Sequence, residues 1–202
     1  MINIIGLGPG NENYITKLGE RLILDSEVLI GGKRNLESIK DFKGEKIEMA
    51  SNLKEILEYI NNNSNKQISV IASGDPLIYG IGRYLSKNID NENLNIVSGI
   101  SSLQYIFSKI YVDMNDLYIT SSHGKVPDFD YILSHKKVCM VTDSKIGPKE
   151  ISREIINRKL ERIVVVGENL SYDNEKITIG TPEDILNIDK FDMSVVVILD
   201  EK

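Results

Sequence analysis

Short apolar runs alternate with amphipathic stretches along the whole chain. The runs at 1–5 and 67–72 read as buried strands, 28–30 as a short strand and 94–97 as the next one. Between them lie segments with helical spacing. Leu18, Leu22 and Ile23 share one face of a helix expected over 14–25, another helix is expected over 53–60, and Ile81, Tyr84 and Leu85 belong to a third, which begins after Pro76. A short strand is expected at 47–49, and Leu103, Ile106, Phe107 and Ile110 line a helix after the fourth run. Strands alternating with helices describe a parallel α/β domain. The pattern restarts near 111–115, which places a domain join there and divides the chain into 1–112 and 113–202. In the second part strands are expected at 117–120, 137–142, 162–166, 177–180 and 194–199, with helices over 148–159 and 182–186.

The strand ends carry the chemistry. In Ser73-Gly74-Asp75-Pro76-Leu77-Ile78-Tyr79-Gly80, Asp75 reads as an N-cap and Pro76 as the first helical residue, with Gly74 allowing a sharp turn or close ligand approach. Such a loop, at the carboxyl end of a parallel strand, is where open α/β sheets bind ligands. Gly6-Leu7-Gly8-Pro9-Gly10 begins like a dinucleotide fingerprint and then departs from it. Pro9 removes an amide, Asn11 stands where the third glycine belongs, and Glu27 precedes its strand rather than following it. A nicotinamide cofactor is therefore disfavoured. Gly31-Gly32-Lys33-Arg34 reads as a basic loop, either solvated or anion-binding, and Ser101 as either an N-cap or a strand-end hydroxyl for a ligand.

Composition narrows the class. Of 202 residues 41% are hydrophobic, enough for a substantial core. There is no run of about 18 apolar residues and no basic leader with a cleavage site, so neither a membrane span nor a signal peptide is expected. Net charge −6 and pI near 5.1 argue against nucleic acid as the main partner. With two histidines and one cysteine no metal site is expected, and Cys139, inside Val138-Cys139-Met140-Val141, reads as a core thiol. These features suit a cytoplasmic protein.

Taken in order, Gly6-x-Gly8-Pro9-Gly10, Gly74-Asp75-Pro76-x-x-Tyr79-Gly80 and Gly99-Ile100-Ser101-Ser102 resemble the motifs of the tetrapyrrole methylase family, and the likeness covers essentially the whole chain. It implies a class III methyltransferase fold: two α/β domains with a cofactor cleft between them, usually as a homodimer. S-Adenosylmethionine would be the co-substrate and a corrinoid or porphyrin-like macrocycle the methyl acceptor. Carried over by position, the cofactor contacts would be Gly8, Pro9, Ser73, Gly74, Asp75, Ile78, Ser101 and Ser102, with Val141, Thr142 and Leu170 from the second domain. Lys33, Arg34, Arg83 and Lys125 are candidates for the macrocycle carboxylates. His123 is the acid/base or substrate-orienting candidate, and His135 reads as a helix end.

Within the family, Ala72-Ser73-Gly74-Asp75-Pro76-Leu77-Ile78-Tyr79-Gly80-Ile81-Gly82, Ser122-His123-Gly124 and the Gly31–Arg34 stretch resemble the branch that methylates corrin ring carbon C5. Ser98 stands where relatives usually have proline, which loosens that turn. Methyl transfer from a sulfonium needs alignment above all, and orientation can supply roughly 7–11 kcal/mol. A corrin methylase with another ring position, or a non-catalytic nucleotide-binding module using the same loops, remains open at this level. A protein or RNA methylase is weakened by the acidic pI. The strand at 194–199 is followed by no second glycine-rich loop, so a single methylation is expected, with decarboxylation and C15 methylation left to a separate protein in transient contact.

Overall fold

β1 (Ile2–Gly6) is buried at every position and is paired in parallel on both sides, by β4 (Ile68–Ala72) and β5 (Leu94–Val97). The computed structural model describes residues 1–49, 52–122, 124 and 126–200. Packing divides it into two units, Met1–Ser101 and Ser102–Lys202.

In the first unit β2 (Val28–Gly31) and β3 (Glu45–Glu48) complete a parallel sheet of order β3-β2-β4-β1-β5. Alternate residues serve opposite faces. Ile4, Ile30 and Val70 pack with Ile56 and Ile60 of α3 (Leu53–Asn62). Ile5, Leu29 and Ile71 pack with Ile23 of α1 (Lys17–Leu24) and Leu36 of α2 (Lys33–Ser38). Both faces are thus covered, which is why these strands read as continuous apolar runs. A buried polar row crosses the sheet: Asn95 donates to Asn3 Oδ1 at 2.9 Å, and Asn3 donates to Ser69 Oγ at 3.4 Å.

Three sequence expectations are corrected here. α1 begins at Lys17 rather than at residue 14, because the Thr16 hydroxyl caps it by accepting from Gly19 N at 3.1 Å; a 3₁₀ turn occupies Glu12–Tyr14. Lys33 and Arg34 do not sit in a loop but form the first turn of α2, whose last carbonyls are satisfied by Lys46 Nζ, donating to Leu36 O and Ile39 O. No helix starts at Pro76. Tyr79 takes the left-handed conformation (φ 53°), and helix α4 is confined to Gly82–Leu85. Gly80 and Gly82 lie against the Pro76 carbonyl, where an added Cβ on either would stand 2.6 Å from the oxygen. The turn closes through Gly82 N donating to that carbonyl at 2.9 Å.

The second unit contains α5 (Ser102–Ile110), β6 (Tyr118–Ser121), α6 (Phe129–Leu133), β7 (Lys137–Val141), α7 (Pro148–Asn157), β8 (Arg162–Glu168), β9 (Lys176–Gly180), α8 (Pro182–Leu186) and β10 (Ser194–Asp200). Its sheet order is β6-β7-β10-β8-β9, with β6 and β7 parallel and the other pairings antiparallel. Val138, Met140, Val164, Val166, Val196 and Ile198 pack with Ile151 and Ile155 of α7 and Ile185 of α8. α5 packs on β7 and β10, so the division of packing falls before α5 while the sequence-based join falls after it. Cys139 is fully buried in β7, and desolvation pushes its thiol pKa well above the ordinary cysteine value. Among the described residues no helix is long and apolar enough to cross a membrane, and no group of three His, Cys, Asp or Glu is placed to hold a metal.

Candidate active site

Because β4, β1 and β5 are neighbours running the same way, the loops after them emerge side by side. Leu7 N donates to Ala72 O at 2.9 Å. Beyond it Gly8 and Gly74 exchange main-chain hydrogen bonds, Gly8 N to Gly74 O at 3.3 Å and Gly74 N to Gly8 O at 2.7 Å. Both residues have positive φ, 87° and 65°. The third loop closes against the same carbonyl. A Cβ on Gly6 would lie 2.5 Å from Gly74 O, and one on Gly99 2.2 Å from it. The three glycine motifs therefore meet main chain to main chain, which brings Gly8, Pro9, Gly74 and Gly99 into one buried junction.

Asp75 ties this junction to its surroundings. Its Oδ1 accepts from Leu77 N at 2.8 Å, and its Oδ2 accepts from Gly99 N at 3.3 Å. The carboxylate thus closes its own turn and clamps the loop after β5, in place of the helix cap expected from sequence. Ile78 N donates to Asp75 O at 3.2 Å, leaving Ile78 half-buried. Ser73 is exposed, and its hydroxyl donates to Asn35 Oδ1 at 3.1 Å, joining the β4 loop to α2, on which Lys33 and Arg34 are exposed. Leu77 and Tyr79 also present apolar surface on this loop, each 55% exposed. Arg83 is exposed on α4, Ser101 is buried at the end of the first unit, and Ser102 opens α5 in the second.

In the second unit β6, β7 and β8 run in the same direction, so their carboxyl ends share one edge. Val141 ends β7 and its carbonyl accepts from Ser122 N at 2.9 Å. Thr142 is half-buried and donates its hydroxyl to Ser194 O at 2.7 Å. Leu170, buried, follows β8 between two non-glycine residues with positive φ, Asn169 (47°) and Ser171 (69°). Asn169 N is held by Met193 O at 3.0 Å, and Ser171 N by Glu175 Oε2 at 2.6 Å. His123 and Lys125 lie outside the described residues. His135 follows α6, stacked on Tyr118 with ring centroids 4.3 Å apart and with Nδ1 3.0 Å from Tyr131 O.

Two residues in these loops escaped the sequence reading. Asn35 is the partner of Ser73, and its signal was slight: a polar residue beside a basic pair that looked like loop. Asp143 follows Thr142 and accepts main-chain hydrogen bonds from two loops. The three loops of the first unit combine hydroxyls, main-chain groups and one carboxylate already hydrogen-bonded to amides, with no lysine or arginine in Gly6–Gly10, Ser73–Gly80 or Ser98–Ser102. That donor set suits a cationic small molecule held without a strong counter-charge.

The chain matches the family model described as tetrapyrrole (corrin/porphyrin) methylases over residues 1–186. It is 40% identical over 203 residues to the cobalt-precorrin-7 C(5)-methyltransferase of Salmonella typhimurium, with all of both chains covered. Among solved structures it is similar to a cobalamin biosynthesis precorrin-6Y methylase from Archaeoglobus fulgidus, with TM-score 0.79, 23% identity and coverage of 100% and 99% of the two chains. A uroporphyrin-III C-methyl transferase from Thermus thermophilus, complexed with S-adenyl homocysteine, has the same TM-score of 0.79 at 16% identity, covering 98% and 96%.

Proposed function

This chain belongs to the tetrapyrrole methylase family, and from that premise we propose that it is a cobalt-precorrin-7 C5-methyltransferase of cobalamin biosynthesis, using S-adenosylmethionine as methyl donor. The observation that carries the reading is the 40% identity to an enzyme of that name across the whole of both chains.

S-Adenosylmethionine supplies an electrophilic methyl group on a sulfonium. The protein's part is to hold donor and acceptor in line and to keep water out. In the first unit, Gly8, Pro9, Ser73, Gly74, Asp75, Ile78 and Ser101 form the wall on which the co-substrate rests. Ser102, Val141, Thr142 and Leu170 are the further cofactor contacts that the family resemblance suggests. The glycine junction is tied together internally, so the wall is in place before any ligand arrives and little ordering cost falls on binding. Because positive charge on sulfur is lost during transfer, a wall of hydroxyls and main-chain groups is better than one with strong counter-charge, which would stabilise the ground state.

Lys33, Arg34, Arg83 and Lys125 receive the acetate and propionate groups of the macrocycle, and His123 orients it or moves a proton. The family resemblance further suggests a homodimer acting in the cytoplasm, and light scattering on the purified protein tests the dimer. The activity is tested by incubating purified protein with cobalt-precorrin-7 and S-adenosylmethionine. Mass spectrometry should show one added methyl group and an equal amount of S-adenosylhomocysteine; binding of S-adenosylhomocysteine without turnover on this or any other corrinoid would instead favour a binding module.

A further inference from the structure

The loop after β6, which begins at Ser122, and the loop after β7, from Thr142 to Gly147, are laced together at several points. Ser122 N donates to Val141 O at 2.9 Å, and Ser122 Oγ donates to Ile146 O at 2.9 Å. Farther out, the carboxylate of Asp143 takes over. Its Oδ1 accepts from Lys145 N at 2.8 Å and from Ile146 N at 2.9 Å, building its own turn. Its Oδ2 reaches across and accepts from Gly124 N at 3.2 Å. Gly124 has φ +74°, and among the described residues a Cβ placed there would meet nothing within 4 Å. Its amide is held by the Asp143 carboxylate.

We propose that Asp143 is a positioning residue for methyl transfer: it anchors the Gly124 amide, on the edge where β6 and β7 end, so that the backbone there meets the macrocycle in one geometry. The proposal rests on the methyltransferase reading above. A charge-assisted hydrogen bond from a main-chain amide is among the stronger local restraints a loop can have, and a small displacement of groups facing a substrate is costly in rate. The two oxygens of Asp143 divide the work, and this makes the idea separable from a general role in stability. In Asp143→Asn the amide oxygen can keep the two bonds within its own turn, while an NH₂ group is turned toward Gly124 N–H, donor against donor. Asp143→Ala removes both sets of bonds.

The test is made on the full chain. For Asp143→Asn we expect the KM for cobalt-precorrin-7 to rise about tenfold, the size of one lost hydrogen bond to a charged group. The Kd for S-adenosylhomocysteine should stay within about twofold of wild type, because the bonds at Val141 and Thr142 are untouched. Hydrogen exchange at the Gly124 amide should quicken while the β7 and β8 amides stay as protected as in wild type. Asp143→Ala should show the same KM effect and a lower Tm as well. An unchanged KM in Asp143→Asn overturns the proposal, as does a rise in KM accompanied by equal losses in cofactor affinity and Tm. If the wild-type protein does not methylate cobalt-precorrin-7, it is the functional reading that fails. The hydrogen-exchange comparison then still decides the anchor, which unchanged exchange at Gly124 would refute.

Discussion

A methyl group added to Gly99 would stand 2.2 Å from the carbonyl oxygen of Gly74, closer than any side-chain carbon approaches a main-chain oxygen. The loops after β4 and β5 can touch because Gly99 carries no side chain, while Gly74 takes the left-handed conformation (φ 65°). Gly99→Ala must therefore push the loops apart, at a cost of roughly 1–3 kcal/mol in overpacking. Urea unfolding should show that loss, and calorimetry should show S-adenosylhomocysteine affinity falling at least about tenfold. Gly32→Ala is the control. A Cβ there meets nothing within 4 Å, so only an N-cap preference of up to about 1 kcal/mol is at stake, and cofactor affinity should not change.

Asp75 bonds Leu77 N and Gly99 N with its two oxygens, so Asp75→Ala frees two loops at once. Expected effects are a loss of about 1–3 kcal/mol in stability, since two amides lose a charged acceptor, and weaker binding of S-adenosylhomocysteine by calorimetry. Far-UV circular dichroism should be unchanged, because α4 starts only at Gly82 and does not depend on Asp75 as a cap. A folded variant with wild-type affinity would reduce Asp75 to a loop clamp.

Lys33 and Arg34 are exposed on the first turn of α2, beside Asn35, which accepts from Ser73. Replacing both with Gln should raise the KM for the macrocycle several-fold at low salt and less at high salt, where screening already weakens such contacts. The Kd for S-adenosylhomocysteine should be unaffected. Steady-state kinetics at two ionic strengths check this, and an unchanged KM would make the pair ordinary surface charges.

Burial raises the pKa of the Cys139 thiol, chiefly by desolvation. The folded state therefore keeps the proton while the unfolded state releases it above about pH 8.5. The unfolded state then binds fewer protons than the native one, so stability falls as pH climbs through that range. Chemical unfolding from pH 7 to 10 should show a shallower decline for Cys139→Ala than for wild type. A thiol reagent should label native protein slowly and unfolded protein at once, and rapid labelling of the native state would contradict the burial.

Most strands were legible in the sequence to within a residue or two, although β3 starts two residues before its expected position and β8 runs two residues past its own. Runs such as 68–72 and 194–199 are largely apolar on both faces, the pattern of a strand covered on both sides. The direction of the second sheet was not legible, because the same apolar run serves a parallel strand such as β7 or an antiparallel one such as β10. Site glycines stood out as motifs, but their mutual contact depends on β4, β1 and β5 being neighbours, a fact of topology rather than of local sequence. The segment after Pro76 carried good helix-start signals, and these lost to tertiary packing of Gly80 and Gly82 against the Pro76 carbonyl. Asp143 was invisible for a similar reason, since its partner Gly124 lies 19 residues away.

The central claim is methyl transfer to one ring carbon, and it is tested most directly by locating the methyl group. Purified protein, cobalt-precorrin-7 and S-adenosylmethionine labelled with ¹³C in its methyl group should yield a product with one labelled methyl, whose carbon–carbon coupling and long-range proton correlations place it on C5. A labelled methyl on any other ring carbon, or an unlabelled macrocycle recovered from protein that binds S-adenosylhomocysteine, would contradict the account.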